Sequence, residues 1–350
     1  MVVIRGPGRP SVTGLPGQKS HSSLDYPGRG QTAPPAVGHS GRVLTVVIAL
    51  TANTVLAVLK SIVAVLTGSA SMVAEAAHSW ADAGNEVFLL IAERRAEKPA
   101  DATHPLGFGR EAYVWSMIAA FGLFGVGAAV SVWHGIQSLT AEEAEADYLW
   151  AYLVLGAAFV LESISFLQAR REVRRGARKA DVSRVTFLDK TSNPTLRAVF
   201  FEDAAALIGI AIAVTGLVLH QVTHEPVWDA IGSILVGLLL GFVAIYLLRR
   251  NMDFLVGQIA DPRIHAAVLG WLRERPEVES VSTLHLEYVG PGRIFLVGSV
   301  DLVGDDTESH AAEELQRLED HLEERSEIAR AVLSLAAPGK QPGTSTVVER

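Results

Sequence analysis

The chain has 350 residues, 49% of them hydrophobic, a formal net charge of −8 and no cysteine. Its mean hydropathy is positive, which is too apolar for an ordinary soluble protein, yet it is too charged to lie wholly in a bilayer. A membrane unit joined to a soluble part fits both facts. The acidic balance argues against nucleic acid as a partner, and without cysteine neither disulfides nor thiolate metal sites can form.

In chain order, residues 1–41 are rich in Gly, Pro, Ser and His and read as a disordered cytoplasmic tail. They hold no signal-peptide core, so the first membrane helix is expected to act as its own targeting signal. His21 and His39 read as chance occurrences in a polar segment. Six apolar segments follow, at 43–66, 71–92, 112–139, 149–169, 196–219 and 227–248. Each is close to the ~20 residues that a bilayer crossing needs. The loop after the second holds Arg94, Arg95, Lys98 and Arg110; a basic run from Arg170 to Lys190 follows the fourth; Arg249 and Arg250 follow the sixth. The other three loops, TGSAS, TAEEAEAD and HQVTHEP, contain no Lys or Arg. The asymmetry predicts that the basic loops and both termini face the cytoplasm of a multi-pass protein in the cell membrane.

Residues 251–338 are soluble in character. Asp261-Pro262 reads as an N-cap followed by proline at the first helical position, opening a helix to about Arg275. Strands are expected over 278–288 and 293–303, joined by a Gly-Pro-Gly turn. Thr307 can cap a second helix running to about Arg325, and 328–335 reads as a third strand. The αββαβ order predicts a small ferredoxin-like α+β domain. The expected organisation is therefore a tail (1–41), a six-helix α-helical membrane domain (42–250), an α+β cytoplasmic domain (251–338) and a disordered tail (339–350).

The chemistry concentrates in the second span, which carries Glu75, His78, Asp82, Asn85 and Glu86. At helical spacing, residues 75, 78, 82 and 86 form one narrow stripe. A charged group near mid-membrane costs roughly 2.5–3.5 kcal/mol on insertion scales, so such a stripe needs partners, water or ions. The fifth span carries Glu202 and Asp203. At ~1.5 Å per residue, these and the His78/Asp82 pair reach similar depth from opposite ends of their helices. That midplane is where alternating-access carriers bind ions. His78 and Asp82, four apart, can reach one ion from one helix face. Glu202 and Asp203 point about 100° apart, so Asp203 is taken as the ligand and Glu202 as a supporting or proton-carrying group. One imidazole with two or three carboxylates suits Zn²⁺, and also admits Mn²⁺, Co²⁺, Ni²⁺ or Fe²⁺.

These residues resemble the cation diffusion facilitators, a family of divalent-metal/proton antiporters. The resemblance covers about residues 42–338 and rests on TGSASMVAEAAHSWADAGNE, HPLGFGRE at 104–111, the Asp203 helix, DAIGSILVG at 229–237 and the α+β region. It implies a transporter rather than an enzyme, with the metal as cargo and no cofactor, protons as counter-substrate and a homodimer as the assembly. His78, Asp82 and Asp203 match the family's metal ligands. The remaining ligand position falls on Val199, which cannot bind metal; the resemblance offers Glu202 as a substitute ligand, beside its reading as a supporting group. In the soluble domain His285 and His310 match family ligands, but Gly298, Leu335 and Ala337 occupy others. Arg110 matches a basic residue that the family pairs with an acid after the sixth span, where this chain has Gly257.

Other intramembrane polar groups have open readings. Glu162 is read as a structural partner or a transport group, and Asp229 as a cap of the sixth span or a vestibule residue. Asn53 is read as helix–helix glue, and Lys60 as snorkelling or facing the bundle. Two rival functions remain. Glu75-x-x-His78 has the spacing of di-iron bundle enzymes, although no other span offers the second copy such a site needs. A non-transporting membrane sensor or scaffold is the other.

Overall fold

The computed structural model describes residues 39–140, 148–305 and 307–337, with backbone only over 39–49 and at 123–124. The tails expected at 1–41 and 339–350 lie outside the described residues, except that the first helix already begins at His39.

Six long helices form the bundle: α1 (His39–Thr67), α2 (Ala70–Ala96), α3 (Glu111–Ser138), α4 (Leu149–Lys179), α6 (Pro194–Thr223) and α7 (Val227–Val256), with the short α5 (Arg184–Lys190) between α4 and α6. Among the described residues, five are long and apolar enough to cross a membrane. The exception, α2, carries the charged stripe, and it packs against α1, α3, α6 and α7. Its stripe residues Glu75 and His78 are buried against protein, and the apolar side chains left outside include Trp80 and Val87 of α2 as well as Val65, Trp133 and Phe242 on other helices. This is the inverse of a soluble core and the pattern a bilayer demands.

Local sequence sets the helix ends. Ser69 caps α2 by accepting from the Met72 N–H, and Asn193 caps α6 by accepting from the Leu196 N–H ahead of Pro194. Residues 120–124 of α3 form a π turn. Close helix packing uses small residues: a β-carbon on Gly237 of α7 would stand 2.9 Å from the Ala128 carbonyl oxygen of α3. The α2–α3 loop is folded by Asp101, whose carboxylate accepts from Thr103 Oγ1 at 2.6 Å, from the His104 N–H at 2.7 Å and from the Thr103 N–H at 2.8 Å. Those bonds hold its acidity constant down to about 2.

The C-terminal domain follows the expected order: α8 (Pro262–Arg273), β1 (Val278–Gly290), β2 (Arg293–Leu302), α9 (Glu308–Glu323) and β3 (Ile328–Leu335). The sheet order is β1-β2-β3, antiparallel between the first two and parallel between the last two. Asp261 caps α8 by accepting from the Arg263 N–H at 2.9 Å. Thr307 stands at the N-cap of α9 in extended conformation without a side-chain cap bond. Leu272, Leu286, Ile294, Leu296, Leu318 and Leu322 fill one core, which continues into the bundle through Tyr113 and Phe254.

The domain is seated on one end of the bundle. Helix α7 runs on to Val256, and its Phe254 ring lies 5.1 Å from Tyr113 and 5.7 Å from Tyr288. Tyr113 donates to the Ser192 carbonyl at 2.9 Å, and the Gly292 N–H donates to Ser192 Oγ at 3.0 Å. Arg110 pairs with Glu287 of β1. Gly257, at φ +124°, leaves room there: a β-carbon would stand 3.1 Å from Glu287 Oε1. The acid that the resemblance placed at position 257 thus comes from the C-terminal domain.

Candidate metal-binding layer

Two contacts fix the antiparallel register of α2 against α6. Toward the end away from the C-terminal domain, Gly209 of α6 abuts the Glu75 carboxylate of α2. Nearer the domain, Asn85 of α2 donates to both oxygens of Glu202, at 2.7 and 2.6 Å. Between them, Asp82 falls level with Asp203. The depth matching expected from the sequence is therefore present.

His78 is 1% exposed, and its Nε2 lies 3.5 Å from Asp82 Oδ2. Asp203 accepts from Ser165 of α4 at 2.8 Å. Glu202 faces α2 through Asn85. The four predicted residues thus share a layer but form two groups, His78 with Asp82 and Glu202 with Asn85, while Asp203 turns to α4. Among the described residues no three His, Asp or Glu side chains are gathered closely enough to hold one ion. Like charges repel, and each carboxylate has taken a neutral donor or an imidazole of its own. Asp82 nonetheless lies within electrostatic reach of Glu162, Glu202 and Asp203, so α4 and α6 both bring acid to it.

The remaining stripe residues are held across helices. Glu86 accepts from Asn53 Nδ2 at 2.7 Å, so Asn53 does join α1 to α2. Lys60 faces the bundle and pairs with Glu75 at 2.9 Å. Asp229 caps a helix, but a neighbour's: its carboxylate takes the N–H groups of Ala70 and Ser71 at 2.5 and 3.2 Å and the Ser69 hydroxyl at 3.0 Å. An acid at a helix N-terminus is stabilised by those unpaired donors. Sequence reasoning gave no role to Asn85 or Ser165. Their signal was present: Asn85 follows Asp82 by three residues and Ser165 follows Glu162 by three, each extending an acidic face.

A cavity of about 580 Å³ opens at the domain end, lined by Glu93, Glu172, Val199 and Arg293 among others, and reaches Ser165. Ser165, which donates to Asp203, is where this cavity borders the layer. Val199, where the resemblance expects a ligand, offers only a methyl wall to it.

A bundle of long apolar helices with acid and imidazole buried between them, bordered by a cavity at one end, defines an ion-handling integral membrane protein. Residues 46–256 match the model of the cation efflux transmembrane domain, and the chain belongs to that family, the cation diffusion facilitators. It is 35% identical over 266 residues to metal tolerance protein C4 of Arabidopsis thaliana, covering 76% of this chain and 58% of the relative. It is 32% identical over 259 residues to the human proton-coupled zinc antiporter SLC30A9, mitochondrial, covering 74% and 46%. Magnetosome protein MamB of Magnetospirillum gryphiswaldense is 25% identical over 242 residues, covering 69% and 76%. The chain thus spans about half the length of the first two relatives.

Proposed function

We propose that this protein carries divalent transition-metal ions, Zn²⁺ first, across a membrane and away from the side that bears the C-terminal domain, in exchange for protons. The observation that carries the reading is the buried layer itself: His78 and Asp82 level with Asp203, whose partner Ser165 borders a cavity at one end. His78, Asp82 and Asp203 are the ligands, and Glu202, held by Asn85, supports them or relays protons. Ligation needs neutral imidazole and ionised carboxylates, so a metal entering the layer expels protons and protons entering expel the metal. A relative described as a proton-coupled zinc antiporter supports the same exchange.

The basic loops support a cytoplasmic position for the C-terminal domain and for both ends of residues 42–338. In this reading the membrane is the cell membrane, residues 42–250 transport, and residues 251–338 pair two protomers. Proteoliposomes with an imposed pH gradient, an interior pH dye and radioactive Zn²⁺, Mn²⁺, Co²⁺ and Ni²⁺ test the exchange. Metal uptake coupled to opposite proton movement is expected. Flux indifferent to the gradient, without proton movement, identifies a uniporter; no flux of any metal overturns transport.

A further inference from the structure

Lys60 stands on α1 with its ammonium inside the bundle, 2.9 Å from Oε2 of Glu75 on α2; the two side chains are 1% and 0% exposed. The place of this pair matters. Glu75 lies one turn beyond His78 on the same face of α2, on the side away from the C-terminal domain. Gly209 of α6 approaches so closely that a β-carbon there would stand 2.7 Å from Glu75 Oε1. Three helices are therefore drawn together just beyond the layer. Solvent access differs on the two sides: the cavity reaches Ser165 beside Asp203 from the domain end, whereas Lys60 and Glu75 are shut off. Glu75 Oε1 is buried and accepts no hydrogen bond among the described residues.

We propose that the Lys60–Glu75 pair is the far-side gate of the transport path, and that Glu75, once released from Lys60, receives the ion as it leaves His78 and Asp82. The inference rests on the transport reading above. Inside a bundle, parting an ion pair leaves two uncompensated charges, so the gate stays shut by default. A divalent ion at His78 and Asp82 changes that balance. It repels the ammonium, which lies within electrostatic reach of His78, Asp82 and Glu162. It also attracts the idle Glu75 oxygen. Opening is thus easier with an ion in the layer than without one. Lys60 further acts as a resident positive charge that keeps the layer from holding metal too tightly to release.

The test uses the full chain, with Zn²⁺ binding measured by calorimetry in detergent and Zn²⁺ flux in proteoliposomes. Lys60→Met removes the repelling charge and frees Glu75 as an extra ligand. It should bind Zn²⁺ about tenfold tighter and lower saturating flux about tenfold, so that KM and kcat fall together. Glu75→Gln leaves the Lys60 charge uncompensated, so it should bind Zn²⁺ about tenfold more weakly and also slow saturating flux, because the ion loses its next carboxylate. The exchange K60E/E75K rebuilds the buried pair with the acid on α1; it should fold and still transport slowly. Wild-type affinity and flux in Lys60→Met overturn the gate, as does full flux in the exchanged pair, which would make the pair structural. If Lys60→Met does not fold, the exchanged pair alone decides. A wild-type protein without flux overturns the transport reading and the gate with it, whereas normal wild-type flux with unaffected variants overturns the gate alone.

Discussion

The chain sets histidines and acids in two regions and treats them in opposite ways. In the bundle, His78 is 1% exposed, and acids from α2, α4 and α6 converge on its layer. In the C-terminal domain, His285 and His310 have side chains 58% and 47% exposed, beside Glu287 at 3.8 Å and Glu314 at 3.7 Å, neighbours on their own elements. The other family ligand positions there hold Gly298, Leu335 and Ala337. Buried ionisable groups in a membrane are costly and persist where they act; exposed ones are solvated freely and say little. The domain's stability lies instead in its leucine-rich core.

The largest break in this contrast should come from the layer. His78→Ala, Asp82→Ala and Asp203→Ala are each expected to lower saturating Zn²⁺ flux at least about 100-fold in folded protein, since each removes a direct ligand. His285→Ala and His310→Ala should stay within about twofold. Normal flux in Asp203→Ala with none in Glu202→Ala would reverse the choice between those neighbours. A step down, Asn85→Ala and Ser165→Ala should each reduce flux roughly tenfold, because they orient Glu202 and Asp203 rather than ligate.

The C-terminal domain sharpens the comparison from the other side. With only His285 and His310 in place, it should not hold zinc strongly, because a closed zinc site wants four ligands. A fragment spanning 258–340 is therefore expected to be a dimer in chelator, read by sedimentation. A chelated monomer that dimerises on stoichiometric zinc would show that the exposed histidines do act.

How much of this was legible beforehand follows from the range of each interaction. Helices cover the six expected apolar segments, five of them long and apolar enough to cross a membrane, and these, the αββαβ order and the Asp261 and Pro262 start of α8 are local patterns of period, charge and capping. The shared depth of Asp82 and Asp203 was legible too, because two antiparallel helices of known rise fix it. What stayed hidden was choice of partner. Asp229 reads as a cap, but only the fold shows that it caps α2 rather than its own helix. Arg110 signals a missing acid, yet nothing local says that Glu287, far along the chain on β1, supplies it over Gly257. Lys60 carried two readings, and its pairing with Glu75 on the next helix decided between them.

Those hidden partners give the smallest, and cleanest, comparison of effects. Asp229→Asn keeps the shape of the side chain but strips the charge that serves Ala70, Ser71 and Ser69. Its residue is 4% exposed, so the donors it leaves at the buried N-terminus of α2 cannot turn to water. Leaving such groups poorly satisfied costs about 1–3 kcal/mol, which a thermal melt in detergent should register as a clear fall. Glu287→Gln breaks an ion pair of similar reach, but the Arg110 side chain is 44% exposed and that of Glu287 24%. Water and salt screen this pair, so its loss should cost at most ~1 kcal/mol, and less as ionic strength rises. The domain remains seated through Phe254, Tyr113 and Tyr288, whose apolar contact does not depend on that charge. A Glu287→Gln melt that fell as far as that of Asp229→Asn, at high salt as well as low, would mean that the pair, and not the aromatic seat, holds the domain to the bundle.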